Sequence, residues 1–247
     1  MIRRVRTVVI ALVVFCAVLA GNTITGGADP VSGVEGTLFA DVLLASFSDS
    51  GNLPVSDYSG IINYGDGTPP VLATIVSLGG NIFGIDGGHD YTEAGSYAFS
   101  VLVSDNTGAN NTFDGTATIA DAPLTPSSAM VQTLPQNIPF NGPVAAFTDA
   151  NPSAVVSDFT ALINWGDGTP TNVGTVVSGS GVFNVDGAHT YASPGAFSIS
   201  VQITDVDGST AAATGTADVS LPEPSTWLAC AGGLCLLIAA YRRTSPA

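Results

Sequence analysis

Apolar and polar residues alternate with a period of two along much of the chain between residues 29 and 220. Phe197, Ile199, Val201 and Ile203 alternate with Ser198, Ser200, Gln202 and Thr204, the pattern of a strand with one buried face. Tyr97, Phe99, Val101 and Val103 occupy the equivalent face earlier in the chain. Phe159, Ala161, Ile163 and Trp165 alternate in the same way, and shorter apolar runs cover 173–178, 182–185 and 211–219. Gly, Asn, Asp and Ser separate these runs, and between the two ends no stretch sustains a helical period. The pattern predicts an all-β chain of about seven short strands per domain, the signature of an immunoglobulin-like sandwich.

The pattern occurs twice. Asn63-Tyr64-Gly65-Asp66-Gly67-Thr68-Pro69 returns as Asn164-Trp165-Gly166-Asp167-Gly168-Thr169-Pro170. Downstream, Asp86-Gly87-Gly88-His89-Asp90-Tyr91 pairs with Asp186-Gly187-Ala188-His189-Thr190-Tyr191, and upstream Phe39, Phe47, Asp49 and Asp57 pair with Phe140, Phe147, Asp149 and Asp158. Two tandem sandwiches are therefore expected, at 29–121 and 129–220, joined by a semi-extended Pro/Ser linker at 122–128. In each turn two glycines supply positive φ around an aspartate whose side chain can bond nearby backbone N–H groups. Tyr64 and Trp165, just before the turns, are expected to plug the two cores. Tyr91 and Tyr191 precede strands as tyrosine-corner residues do.

Both ends differ from the middle. Arg3, Arg4 and Arg6 precede an apolar run from Val8 to Leu19, and small residues at Ala20 and Gly21 offer a cleavage point. Residues 1–20 are thus read as a signal peptide, which implies export machinery and a signal peptidase as partners. At the other end, Pro222-Glu223-Pro224 is stiff and incompatible with a helix. An uncharged apolar stretch follows at 226–241, bounded by Trp227 and Tyr241, and then Arg242 and Arg243. As a helix it would span about 24 Å, a short transmembrane segment with a cytoplasmic C-terminus by the positive-inside rule.

Pro222-Glu223-Pro224, a short apolar helix and the Arg242-Arg243 pair together resemble a PEP-CTERM sorting signal, over residues 221–247. That resemblance implies recognition by an exosortase-type membrane protease, cleavage near the Pro-Glu-Pro motif, and delivery of the ectodomain to the cell surface or extracellular matrix after at least transient membrane anchoring. The middle carries a second resemblance. Tyr64-Gly65-Asp66-Gly67, His89, Tyr91, Gly95 and Asp105, with Trp165-Gly166-Asp167-Gly168, His189, Tyr191, Gly195 and Asp205, are similar to the polycystic kidney disease (PKD) domain family. Its members are β-sandwiches of surface proteins and of secreted hydrolases. Here an Asn stands before the aromatic where many members have Asp, and the insert before the His is longer.

Charge narrows the partners. The formal net charge is -15, and nineteen of the twenty acidic residues lie in 21–221, which holds no Lys or Arg. Such a surface repels nucleic acid and anionic headgroups and attracts divalent cations. Cys16, Cys230 and Cys235 all lie in the terminal segments, so neither disulfide nor thiolate metal site is available to the domains. No Gly-x-Ser-x-Gly elbow, ectodomain Cys or Lys base is present, and the chain is read as non-enzymatic with no catalytic residues. Two readings of Asp66 and Asp167 stay open, an Asx turn that fixes the loop or a calcium ligand. Asp205-Val206-Asp207-Gly208 resembles a fragment of a calcium loop, which adds Asp205 and Asp207 as candidates. His89 and His189 are read as structural, each bonding its own loop. The expected function is structural or adhesive, with no obligate cofactor; the alternative is a module binding extracellular polysaccharide or protein in a calcium-dependent way.

Overall fold

The structure, a computed structural model, describes residues 21–127, 130–179 and 181–221. The signal peptide read at 1–20, the sorting motif at 222–224, the helix expected at 226–241 and the Arg pair lie outside these residues. Among the described residues no helix is long and apolar enough to cross a membrane.

Among the described residues strands dominate, and only two single 3₁₀ turns, Val55–Asp57 and Val156–Asp158, interrupt them. The first copy forms β1 (Ile24–Ala28), β2 (Val31–Val34), β3 (Phe39–Asp49), β4 (Tyr58–Asn63), β5 (Val71–Leu72), β6 (Thr74–Gly79), β7 (Ile82–His89), β8 (Gly95–Asp105) and β9 (Asn110–Ala120). These make two sheets, ordered β1-β3-β7-β6 and β2-β9-β8-β4-β5. The second copy forms β10 (Leu124–Pro126), β11 (Val131–Pro135), β12 (Phe140–Asp149), β13 (Phe159–Asn164), β14 (Asn172–Gly179), β15 (Val182–His189), β16 (Gly195–Asp205) and β17 (Thr210–Ser220). They are ordered β10-β12-β15-β14-β13-β16-β17-β11, with β11 parallel to β17.

The period-two pattern sets which side chains go inside. β4 and β13 alternate buried and exposed at every residue, and β17 does so over its whole length. Phe147 meets Phe159 edge-on at 4.9 Å and stacks on Phe183 at 5.3 Å, so the two faces of the second copy close on an aromatic core. Phe47 does the same in the first copy, 5.2 Å from Tyr58 and 5.1 Å from Phe83.

One strand changes sheets. β14 pairs with β13 through residues 172–174 and with β15 through 175–179. In the first copy Ala73 interrupts that strand, leaving β5 on β4 and β6 on β7. The backbones approach closely at this crossing. A Cβ on Gly60 would lie 2.8 Å from the Cβ of Ala73, and one on Gly174 would lie 2.5 Å from Val185. The first copy places Gly60 opposite Ala73, bonded from the Ala73 N–H at 2.9 Å, and the second places Ala161 opposite Gly174. Each crossing holds one methyl, from opposite strands in the two copies.

The stretch read as a linker at 122–128 contains a strand. β10 pairs antiparallel with β12, Leu124 opposite Asp149, as β1 pairs with β3, Ile24 opposite Asp49. Three residues ending in Pro126 are too short to show a period, and an edge strand tolerates the missing N–H. The first copy likewise begins at β1, ahead of residue 29.

By contact density the chain divides into two compact units. One holds the described residues up to Val31 with Ala40–His89 and Tyr97–Ala117; the other holds Ser32–Phe39, Asp90–Ser96 and the described residues from Thr118.

Candidate functional site

The twin turns come first, because the repeat points to them. Gly65 and Gly166 have φ of 81° and 78°, and a Cβ on either would fall on a backbone carbonyl, of Ala98 or Ser198. Only glycine fits there. Asn63 Oδ1 accepts the Gly65 N–H at 3.0 Å, and Asn164 Oδ1 accepts the Gly166 N–H at 3.0 Å. Asp66 Oδ1 accepts from the Thr68 N–H at 3.0 Å and the Thr68 hydroxyl at 2.6 Å, and Asp167 does the same with Thr169 at 3.1 and 2.6 Å.

The second oxygen of each aspartate faces a histidine. His89 Nε2 lies 2.7 Å from Asp66 Oδ2, and His189 Nε2 lies 2.8 Å from Asp167 Oδ2. Burial raises the Asp66 carboxyl, but the Thr68 hydroxyl, the His89 ring and the Thr68 N–H outweigh it and hold the group at about 2. Asp167 is lowered by the same balance, with Thr169 and His189 as partners. An ionised carboxylate only accepts, so Nε2 must carry the proton. Each imidazole also stacks on the plug aromatic, His89 on Tyr64 at 4.0 Å and His189 on Trp165 at 4.7 Å. Trp165 and Tyr191 are fully enclosed, and Tyr191 donates its hydroxyl to the Trp165 carbonyl at 3.0 Å. Tyr64 donates to the Gly88 carbonyl at 3.1 Å.

These contacts engage both oxygens of Asp66 and Asp167, Oδ1 in the Asx turn with the threonine two residues on and Oδ2 with the histidine of a distant strand. The threonine hydroxyls donate to the same carboxylates, so the Asp–His pair has no activated nucleophile in this hydrogen-bond set. The His–Asp bond was not read from the sequence. Its partners lie 23 and 22 residues apart, and the only signal was that both occur in both copies.

A second place gathers carboxylates. In the second unit, one oxygen each of Glu35, Glu93 and Asp207 lies within 4.8 Å of the others, and of the described residues only these form such a group. Glu35, after β2, is 2% exposed; its Oε1 accepts the Ala122 N–H at 3.1 Å, while its Oε2 is buried without a hydrogen-bond partner. Asp207, in the β16–β17 turn, accepts the Ala94 N–H at 2.9 Å. Burial, then the charges of Asp121 and Asp207, push the Glu35 carboxyl up to about 7. Burial, the charges of Asp158, Asp207 and Asp205, and a hydrogen bond shared with the Asp207 carboxyl raise Glu93.

Asp205, also a sequence candidate, is 6% exposed at the end of β16 and accepts the Asp207 N–H at 3.0 Å. Burial and the charges of Asp121, Asp149 and Asp207 raise its carboxyl. Of the four aspartates singled out by sequence, the structure therefore brings Asp207 alone into the carboxylate group, beside Glu35 and Glu93. Neither glutamate belongs to a motif, and neither could be picked out before the loops were placed.

No known family profile matches the chain, and no curated protein matches it. Solved structures similar to it include a titin substructure (TM-score 0.41, 8% identity, 81% of this chain and 98% of that one). A titin I-band fragment aligns with TM-score 0.33 at 8% identity over 81% of this chain and 66% of that one. Extracellular cadherin domains 3–6 of protocadherin gamma B2 align with TM-score 0.32 at 17% identity over 81% and 49%.

Proposed function

We propose that this is an exported, non-enzymatic structural or adhesive protein made of two PKD-like sandwiches. In this reading it is sorted through Pro222-Glu223-Pro224 by an exosortase-type protease to the cell surface or matrix. The observation that carries the non-catalytic part is the internal use of the repeated motif: both Asp–His pairs engage their own turn and their own plug aromatic, twice over. A motif consumed in this way supports a displayed scaffold. A polysaccharide-binding face would present aromatic rings to stack on sugar, and no aromatic among the described residues is exposed. That favours the structural reading over the binding one.

Replacing Pro222-Glu223-Pro224 with alanines in the producing cell tests the sorting step. The ectodomain is expected to stay with the membrane at the larger mass. An unchanged mass and location would remove the exosortase from the account. Retention of the wild-type chain on the cell's own secreted polysaccharide would transfer support to the binding module.

A further inference from the structure

We propose that Glu35, Glu93 and Asp207 hold a calcium ion. The geometry fits a single coordination sphere. Calcium takes oxygens at about 2.3–2.6 Å, so its ligands lie no more than about 5 Å apart. The three carboxylates already offer oxygens within 4.8 Å of one another. Clustered acids alone would not suffice, since exposed acidic groups often gather without a ligand. The second observation is Glu35, a carboxylate 2% exposed that belongs to this group and leaves Oε2 buried and unpartnered. An unpartnered buried carboxylate oxygen is accommodated by a paired cation, a proton or a metal ion, and calcium titration distinguishes the last two. The described residues contain no Lys or Arg to pair with it, and the two histidines face Asp66 and Asp167.

The repeat supplies an internal control, the second copy for Glu35 and Glu93 and the first for Asp207. Glu35 corresponds to Gln136, Glu93 to Ser193 and Asp207 to Thr107. Gln136 makes a neutral bond in its place, donating its amide to the Ala192 carbonyl at 2.7 Å. Thr107 donates its hydroxyl to Asp105 at 2.9 Å. The sandwich therefore does not require acids at these positions. Three separate departures from the repeat converge on one point.

The neighbouring aspartates tell the same story. In the first copy Asp49 receives hydrogen bonds from the Asn22 amide at 3.0 Å and the Tyr58 hydroxyl at 2.7 Å, and Asn22 also bonds Asp105. Despite burial, Asn22, the Gly51 N–H and Tyr58 lower the Asp49 carboxyl, and Thr107, the Ala109 N–H and Asn22 lower that of Asp105. In the second copy Asn22 becomes Ala122 and Tyr58 becomes Phe159, so both donors are gone while Asp149 and Asp205 remain. Asp149 Oδ2 and Asp121 Oδ1 are buried without partners. Asp149 and Asp205 keep backbone donors, the Asn151 and Asp207 N–H groups, but the side-chain donors Asn22 and Tyr58 have no counterpart at Ala122 and Phe159.

The test is a calcium titration of the full-length chain in mild detergent at about physiological salt, read by calorimetry and by thermal melting. A dissociation constant near 10⁻⁴–10⁻³ M is expected, the range of extracellular modules. At roughly tenfold excess over that constant the melting midpoint should rise by roughly 3–6 °C. Glu35→Gln and Asp207→Thr, which install the residues that the other copy carries, should each abolish that rise. Asp114→Asn, an exposed acid on β9, should leave it intact. Metal-free midpoints at or above wild type would show that both variants fold. The proposal is overturned if calcium has no effect beyond an equal ionic strength of NaCl, if MgCl₂ reproduces it at equal concentration, or if the rise survives both substitutions. None of these outcomes depends on the sorting signal, so the proposed function and this site fail separately.

Discussion

At the scale of single residues, Asp66 shows how a side chain that looks like a ligand becomes scaffold. Its three hydrogen bonds lie in one turn and one facing strand, and they favour the charged form despite burial. A carboxylate held below its ordinary value adds stability that is present above the unfolded value of 3.8 and is lost as pH falls toward about 2. Asp167 acts in the same direction. Melting midpoints should therefore drop steeply between about pH 4 and pH 2. The double substitution Asp66→Asn with Asp167→Asn should start lower at pH 5 and flatten that acid limb. An acid limb of unchanged slope would mean that the fold does not favour the ionised form of these two carboxylates. The sequence allowed the Asx turn but not the imidazole partner, because contact across strands leaves no mark at fixed spacing.

At the scale of elements, most strands were legible because one face is buried and the period is two. The 3.6-residue period was absent, and no described helix beyond two 3₁₀ turns formed. What escaped was short or split: β1, β10, and the strand that changes sheets. No alternation survives in two or three residues, and the crossing depends on a volume shared between strands distant in sequence. Gly60 and Ala73 make that dependence testable. Gly60→Ala alone should cost about 1–3 kcal/mol by overpacking. Ala73→Gly alone should cost about 0.5–1 kcal/mol from lost backbone restraint. Together they install the arrangement of Ala161 and Gly174, and the pair should recover at least about 1 kcal/mol relative to the sum. Chemical denaturation of the four proteins measures it, and strict additivity would show that the two positions do not share the space.

At the scale of the whole molecule, charge is the dominant imbalance. Nineteen acids and two histidines, with no Lys or Arg, occupy residues 21–221. Long-range repulsion of this kind opposes the compact state and weakens as salt shortens the screening length, from about 30 Å at 0.01 M to about 8 Å at 0.15 M. The melting midpoint should rise over that interval of NaCl and then flatten, each kcal/mol of relieved repulsion appearing as roughly 2–4 °C. The buried carboxylates behave differently. Glu35 Oε2, Asp121 Oδ1 and Asp149 Oδ2 are screened little by an ion atmosphere that cannot reach them. Calcium added on the NaCl plateau should therefore produce a further rise, which substitution of Glu35 removes while the NaCl response stays. Merging of the two responses into one curve governed by ionic strength alone would assign the whole imbalance to the surface.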